Sequence, residues 1–172
     1  RGDLRTNGLA GATSGIRINS TNAIQLDALS VSGGSILLQT DGTTTTDGAI
    51  TFVGTSTISS LTPGLDGLRI NAGSNSLNLS GLSLNTLDHL VVSTASNQSV
   101  TLGAHSLADG GGNSGSAITV SSGTIGLTGN LTAQGDVSLT GVVELRGNIV
   151  ITTSGAATSG DVTITGLTRA DN

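Results

Sequence analysis

The chain is 172 residues long, enough for one domain with a buried core. Its apolar residues are Leu, Ile, Val and Ala with a single aromatic, Phe52, and no Trp, Tyr, Met or Cys; this excludes disulfides and thiolate metal sites and predicts a narrow core of thin aliphatic layers. Six arginines, no lysine and eleven acids leave a net charge of -5, so no basic surface awaits a phosphate backbone and no aromatic platform awaits a base; nucleic acid is not an expected partner.

The elements read in chain order are all strands. Apolar-x-apolar alternations, ended by Gly, Asn or Asp-Gly turns, occur as IRIN at 16–19, IQL at 24–26, LRIN at 68–71 and LNL at 77–79. They continue as VTL at 100–102, ITV at 118–120, VSL at 137–139 and VTIT at 162–165. Period two marks strands with one buried face. Good helix formers such as Glu, Lys and Met are nearly or wholly missing, which argues against helices. TSTISSLTPGLD at 55–66, with the single Pro63, and AHSLADGGGNSGS at 104–116 read as loops between strands.

The strands recur in units. GIRINSTNAIQLDALSV from Gly15 aligns with GLRINAGSNSLNLSGLSL from Gly67 and, more loosely, with TIGLTGNLTAQGDVSLTGVVEL from Thr124. The units cover roughly 15–54, 67–103 and 124–166, and residues 1–14 match the closing segment of a preceding unit. The chain therefore reads as one segment, 1–172, whose two ends are phased to continue each other, cut from a longer precursor or built to add head to tail.

Short strands with one inward face, repeated in register, predict an all-β fold: a right-handed parallel β-solenoid, or β-helix, built from degenerate repeats, with a β-sandwich as the alternative. A rung of roughly 20 residues predicts about eight or nine coils. Asn19 and Asn71 occupy equivalent places and are candidates for an asparagine column along the stack, while Arg17 and Arg69, also equivalent, are expected several rungs apart to avoid repulsion.

The stretches INAGSNSLNLSG, LTAQGDVSLTG and TSGDVTITG resemble the repeat region of filamentous-haemagglutinin-like large exoproteins and autotransporter passengers, secreted bacterial adhesins built as β-solenoids. The resemblance implies an extracellular or cell-surface location and a structural or adhesive role. Its expected partners are the chain itself, stacked head to tail, or the rest of a longer repetitive chain, with a host or surface ligand left open. A solenoid module that binds carbohydrate or protein is the alternative function.

Individual motifs add little chemistry. RGD at 1–3 is the counterpart of RGN at 146–148 and reads as a turn. ADGGGNSGS at 108–116 is similar to calcium-binding solenoid turns but lacks their nonapeptide period and second Asp, so it reads as a loop. His89 and His105 have no Cys or Glu beside them and read as ordinary surface histidines. Asp41, Asp47, Asp66 and Asp109 border glycines or turns, where Asp serves the backbone. TTTT at 43–46 is an isolated run, short of the successive-rung Thr arrays of ice-binding faces. The sequons at Asn19, Asn78, Asn97 and Asn130 arise by composition. No catalytic, cofactor-binding or metal-ligating residue is assigned, and the chain is read as no enzyme. No apolar run of about 18 residues exists to cross a bilayer as a helix.

Overall fold

The computed structural model describes residues 4–7, 16–20, 23–32, 36–40, 48–60, 66–107, 117–154 and 160–170. Among them are seventeen strands and no helix. The first six are β1 (Leu4–Asn7), β2 (Ile16–Ser20), β3 (Ile24–Ser32), β4 (Ile36–Thr40), β5 (Ile50–Ser60) and β6 (Gly67–Asn71). There follow β7 (Leu77–Leu79), β8 (Ser83–Asn85), β9 (His89–Ser93), β10 (Ser99–Leu102), β11 (His105–Ser106) and β12 (Ala117–Leu127). The last are β13 (Leu131–Ala133), β14 (Val137–Leu145), β15 (Ile151–Thr153), β16 (Val162–Thr165) and β17 (Thr168–Ala170).

Every pairing is parallel, and strands enter each ladder in chain order. One ladder runs β2-β4-β6-β9-β12-β14-β16. Its inward positions form columns: Ile36, Leu68, Leu90, Ile118 and Val137 in one, Leu38, Ile70, Val92, Val120 and Leu139 in the next, all essentially without solvent exposure. Such columns arise because parallel in-register stacking places like side chains one sheet spacing apart, roughly 4.8 Å. Among the described residues this first ladder holds seven strands. Its spacing is uneven: Ile118 pairs with Val137, 19 residues on, whereas Ile36 pairs with Leu68, 32 residues on.

Long strands turn corners and join one ladder to another. The first half of β12 pairs with β9 and its second half with β10, with a register shift between Ser121 and Thr124 where β12 pairs with β14. The second ladder, β7-β10-β12-β14-β17, buries Leu77, Val100, Ile125 and Val143. β3 and β5 bend in the same manner, pairing first through Ile24↔Ile50 and then through Leu29↔Ile58. Their second halves form, with β1 and β8, a four-stranded sheet, and β11-β13-β15 form another of three strands.

The corner after the first ladder requires glycine. Gly141 has φ +140, and a Cβ there would lie 2.0 Å from the Ser122 carbonyl oxygen of the level below. Gly166 repeats the arrangement, with φ +135 and 2.1 Å to the Gly141 carbonyl oxygen. Levels stacked at sheet spacing leave no room for a side chain at this bend.

Two regions read as loops are strands in part. TSTISS at 55–60 closes β5, with Ser56, Ile58 and Ser60 buried, and His105–Ser106 forms β11, with His105 and Leu107 buried. Their polar residues occupy alternate positions of a stacked strand, which hid the alternation. Ile16 and Leu68 head strands of the same ladder with Ile36 between them, so the GIRIN and GLRIN likeness spans two levels. The looser third match enters the second ladder instead, at Ile125.

Candidate functional site

The hydrogen-bond pattern gives the stack a direction. Inward residues donate to the following level: Ile24 N–H to the Ala49 carbonyl, Ile118 to Asp136, Val137 to Asp161 and Val143 to Leu167. Outward residues donate to the preceding level, as Ala117 does to Asp88 and Thr124 to Gln98. Alternate main-chain groups of a parallel strand point to opposite neighbours.

The second ladder starts at β7, and β5, which lies beside β7, belongs to the four-stranded sheet. Residues 50–52 pair with β3 on one side, and β5 reaches its other neighbour, β8, only through residues 57–59. Among the described residues β7 pairs with β10 alone. Between the two edges lies a cleft of about 360 Å³ lined by Ile50, Thr51, Phe52, Asn78, Ser80 and Leu82 among others. One end is pinched where a Cβ on Gly81 would come within 3.2 Å of the Gly54 carbonyl oxygen. The one aromatic of the chain, Phe52, packs partly buried against the core beside it.

His105 is 2% exposed, inward on β11 and paired with Leu131 of β13. Neither ring nitrogen has a hydrogen-bond partner. Burial pushes its pKa down to about 4, because a cation in an aliphatic core loses its hydration. The reading of two surface histidines therefore fails for His105. His89 is half-buried, its Nδ1 3.2 Å from the Asp88 carboxylate. Its ring lies over Gly67, where a Cβ would meet Nε2 at 2.0 Å.

The single Glu of the chain, Glu144, lies between two arginines. Arg146 donates to its Oε2 at 2.8 Å, and Arg169, its cross-strand neighbour on β17, donates to Oε1. These hydrogen bonds, from Arg146 and then Arg169, hold the carboxyl below the usual glutamate range. The cluster joins the outer two levels of the second ladder and leaves its carboxylate engaged on both oxygens.

Other singled-out residues serve the backbone. Buried Asp66 accepts a 2.5 Å hydrogen bond from the Ser60 hydroxyl. Asn78 Oδ1 accepts from Ser80 N–H at 3.0 Å within one turn, and Asn130 Oδ1 accepts from Val150 N–H at 2.9 Å, tying one level to the next. Asn71 Oδ1 accepts locally from Gly73 N–H at 3.2 Å, and Gln39 stands between Asn19 and Asn71 in the ladder; no continuous asparagine column forms. Arg17 and Arg69 are two levels apart with Leu37 between them. The RGD at 1–3, the TTTT at 43–46, Asp41, Asp47, Pro63 and the 108–116 glycine run lie outside the described residues.

Among the described residues no three His, Cys, Asp or Glu side chains gather as metal ligands, and no helix is long and apolar enough to cross a membrane. No family model matches the chain, and no curated protein or solved structure matches it.

Proposed function

We propose that the chain is a right-handed parallel β-solenoid segment of an extracellular bacterial fibre or large adhesin, acting mechanically through reach, spacing and stacking. The observation that carries the reading is the outermost level. β15, β16 and β17 each have one strand partner, and Val150, Val162 and Leu167 are the exposed large apolar side chains, among the described residues. Inward residues donate to the following level, so Val162, Ile164 and Thr168 aim main-chain groups where a further level would lie. Strands that enter three sets of ladders in chain order, all parallel, support the solenoid, and the strong preference of parallel crossovers supports its right hand. The extracellular and adhesive parts of the reading follow from the likeness of the repeats to secreted exoprotein repeats.

Electron microscopy and fibre diffraction of the isolated chain test this. Growth into thin fibres with an axial repeat near the sheet spacing of about 4.8 Å identifies a protomer that adds head to tail. Short rods with the same repeat identify a segment whose next level belongs to its own longer chain. A compact particle with no such repeat overturns both. A second reading, a solenoid that presents a binding site, is favoured by the cleft between β5 and β7.

A further inference from the structure

The strands fall on three sides of each level. The first ladder forms one side and the second ladder another, while β1-β3-β5-β8 and β11-β13-β15 follow one another on the third, where β8 and β11 are neighbours. Counted level by level, the outer levels are stepped. β1 lies one level beyond the second half of β3, with no first-side or second-side strand at its own level among the described residues. At the opposite face β16 and β17 lie one level beyond β14, and among the described residues no third-side strand accompanies them beyond β15. One face therefore carries a projecting strand and the other a notch, both on the third side.

The register fixes how a strand fills the notch. His105 N–H donates to the Asn130 carbonyl and Leu131 N–H to the Val150 carbonyl, so Ile151 and Thr153, in register with Leu131 and Ala133, present their N–H groups to the notch. Leu4 heads the register column Leu4, Leu29, Ile58 and Leu84 on the same side. Laid over Ile151, it extends a column whose buried members include Ile58, Leu84 and Leu131. With β1 of a second copy in the notch, β2 of that copy falls over β16, so that Ile16 follows Val162 and Ile18 follows Ile164. Residues 24–26 of its β3 fall over β17 in the same step. All three sides then meet in phase, whereas a projection on either other side would leave one edge unpaired and drive two strands into one place. Val150, Val162 and Leu167, exposed in the single chain, border the joint.

We propose that a second copy of this chain docks on the outermost level by laying its β1, Leu4–Asn7, into the notch beside β15, so that one level of the joint is built from both copies. The inference rests on the head-to-tail reading and names its contact, a shared level in place of two flush faces. Main-chain hydrogen bonds between β15 and the incoming β1 set the register, and the aliphatic columns of the first ladder continue across the joint. The contact is heterologous, so each added copy presents a new notch and the assembly stays open.

The chain has no cysteine, so disulfide cross-linking between two variants, Arg5→Cys and Thr152→Cys, tests the joint. In the shared level these are facing register positions about 4.8 Å apart, within disulfide reach. Within one chain they are six strand steps apart, roughly 30 Å, which excludes an internal bond. Thr152 is exposed, as is Asn85, which stands in register with Arg5. An equimolar mixture under mild oxidation should give a covalent dimer holding one copy of each variant. Thr132→Cys, one level further in and flanked by Ser106 and Thr152, should give none with Arg5→Cys. Fibres or oligomers that form without the Arg5→Cys to Thr152→Cys bond overturn the proposal and leave head-to-tail stacking standing. A chain that stays a single short rod overturns it too, and equal bonding at position 132 overturns it by assigning the product to chance collision. A compact particle without the sheet repeat brings down the stacking reading as well.

Discussion

His105 and Leu131 are register partners on adjacent parallel strands, so an imidazole occupies a place in a column otherwise filled by aliphatic side chains. The main chain is well served, His105 N–H donating to the Asn130 carbonyl at 3.0 Å. The ring is not, since both nitrogens are buried without partners. Burial of unpaired polar atoms costs about 1–3 kcal/mol, and burial of a charge costs more.

Stability should therefore fall as pH drops from 6.5 toward 4. His105 is neutral in the native state down to about 4, whereas the unfolded chain takes up a proton near 6.5, so the unfolded state binds more protons throughout that window. Full separation of the two values corresponds to about 3 kcal/mol lost by pH 4. His105→Leu removes this term. Urea denaturation of both chains at pH 7 and pH 4.5 should show the variant more stable by about 1–3 kcal/mol at pH 7 and by a wider margin at pH 4.5; an unchanged margin would show that the ring titrates normally.

Gly141→Ala should destabilise by about 1–3 kcal/mol, because the residue has φ +140 and its Cβ would strike the Ser122 carbonyl oxygen. Gly147→Ala is the control. Gly147 has φ +153 but open space where the Cβ would go, so it should lose less. Thermal unfolding of the pair separates the stacking clash from strain alone.

Glu144→Gln should loosen β17. The carboxylate ties Arg169 on that outermost strand to β14, and a neutral amide replaces two charge-assisted bonds with weaker ones. The folded-state pKa lies below the unfolded one, so the stabilisation is present above the ordinary glutamate range and lost as pH falls through the depressed value. Amide exchange of residues 168–170 should quicken in the variant at pH 7, and the difference from the parent should shrink in acid.

Leu90→Ala should cost about 2–5 kcal/mol, since Leu90 is fully buried between Leu68 and Ile118 in the first ladder. Leu167→Ser, at a site 64% exposed, should change stability by no more than about 0.5 kcal/mol. Under the proposed head-to-tail stacking the second change should nonetheless slow fibre growth, as followed by light scattering. Equal growth would remove Leu167 from the assembly contact.

The strands were legible where alternation was carried by aliphatic residues. LNL at 77–79 and VTIT at 162–165 match β7 and β16 residue for residue. Legibility failed where polar residues took inward places. Ser56 and His105 are buried although their stretches read as loops, and the one signal available was the x-Ile58 and x-Leu107 alternation that follows each. The corner-turning continuation of β12 to Leu127 was hidden because it bends through Ser121, Ser122 and Gly123, residues that otherwise end strands.

The cleft was not legible at all. Ile50, Phe52, Leu77 and Leu79 alternate as well as any other pair of strands, and nothing local separates strands that pair from strands that only lie side by side. By itself the sequence determined an all-β chain of short strands, its aliphatic inward positions and the absence of thiol chemistry, because side-chain period and composition are local properties. Only the tertiary structure decided which strands pair, where a ladder starts, that Glu144 meets Arg169 and that His105 is walled off from water. Those outcomes depend on the unequal lengths of chain between levels, which set register between residues far apart in sequence.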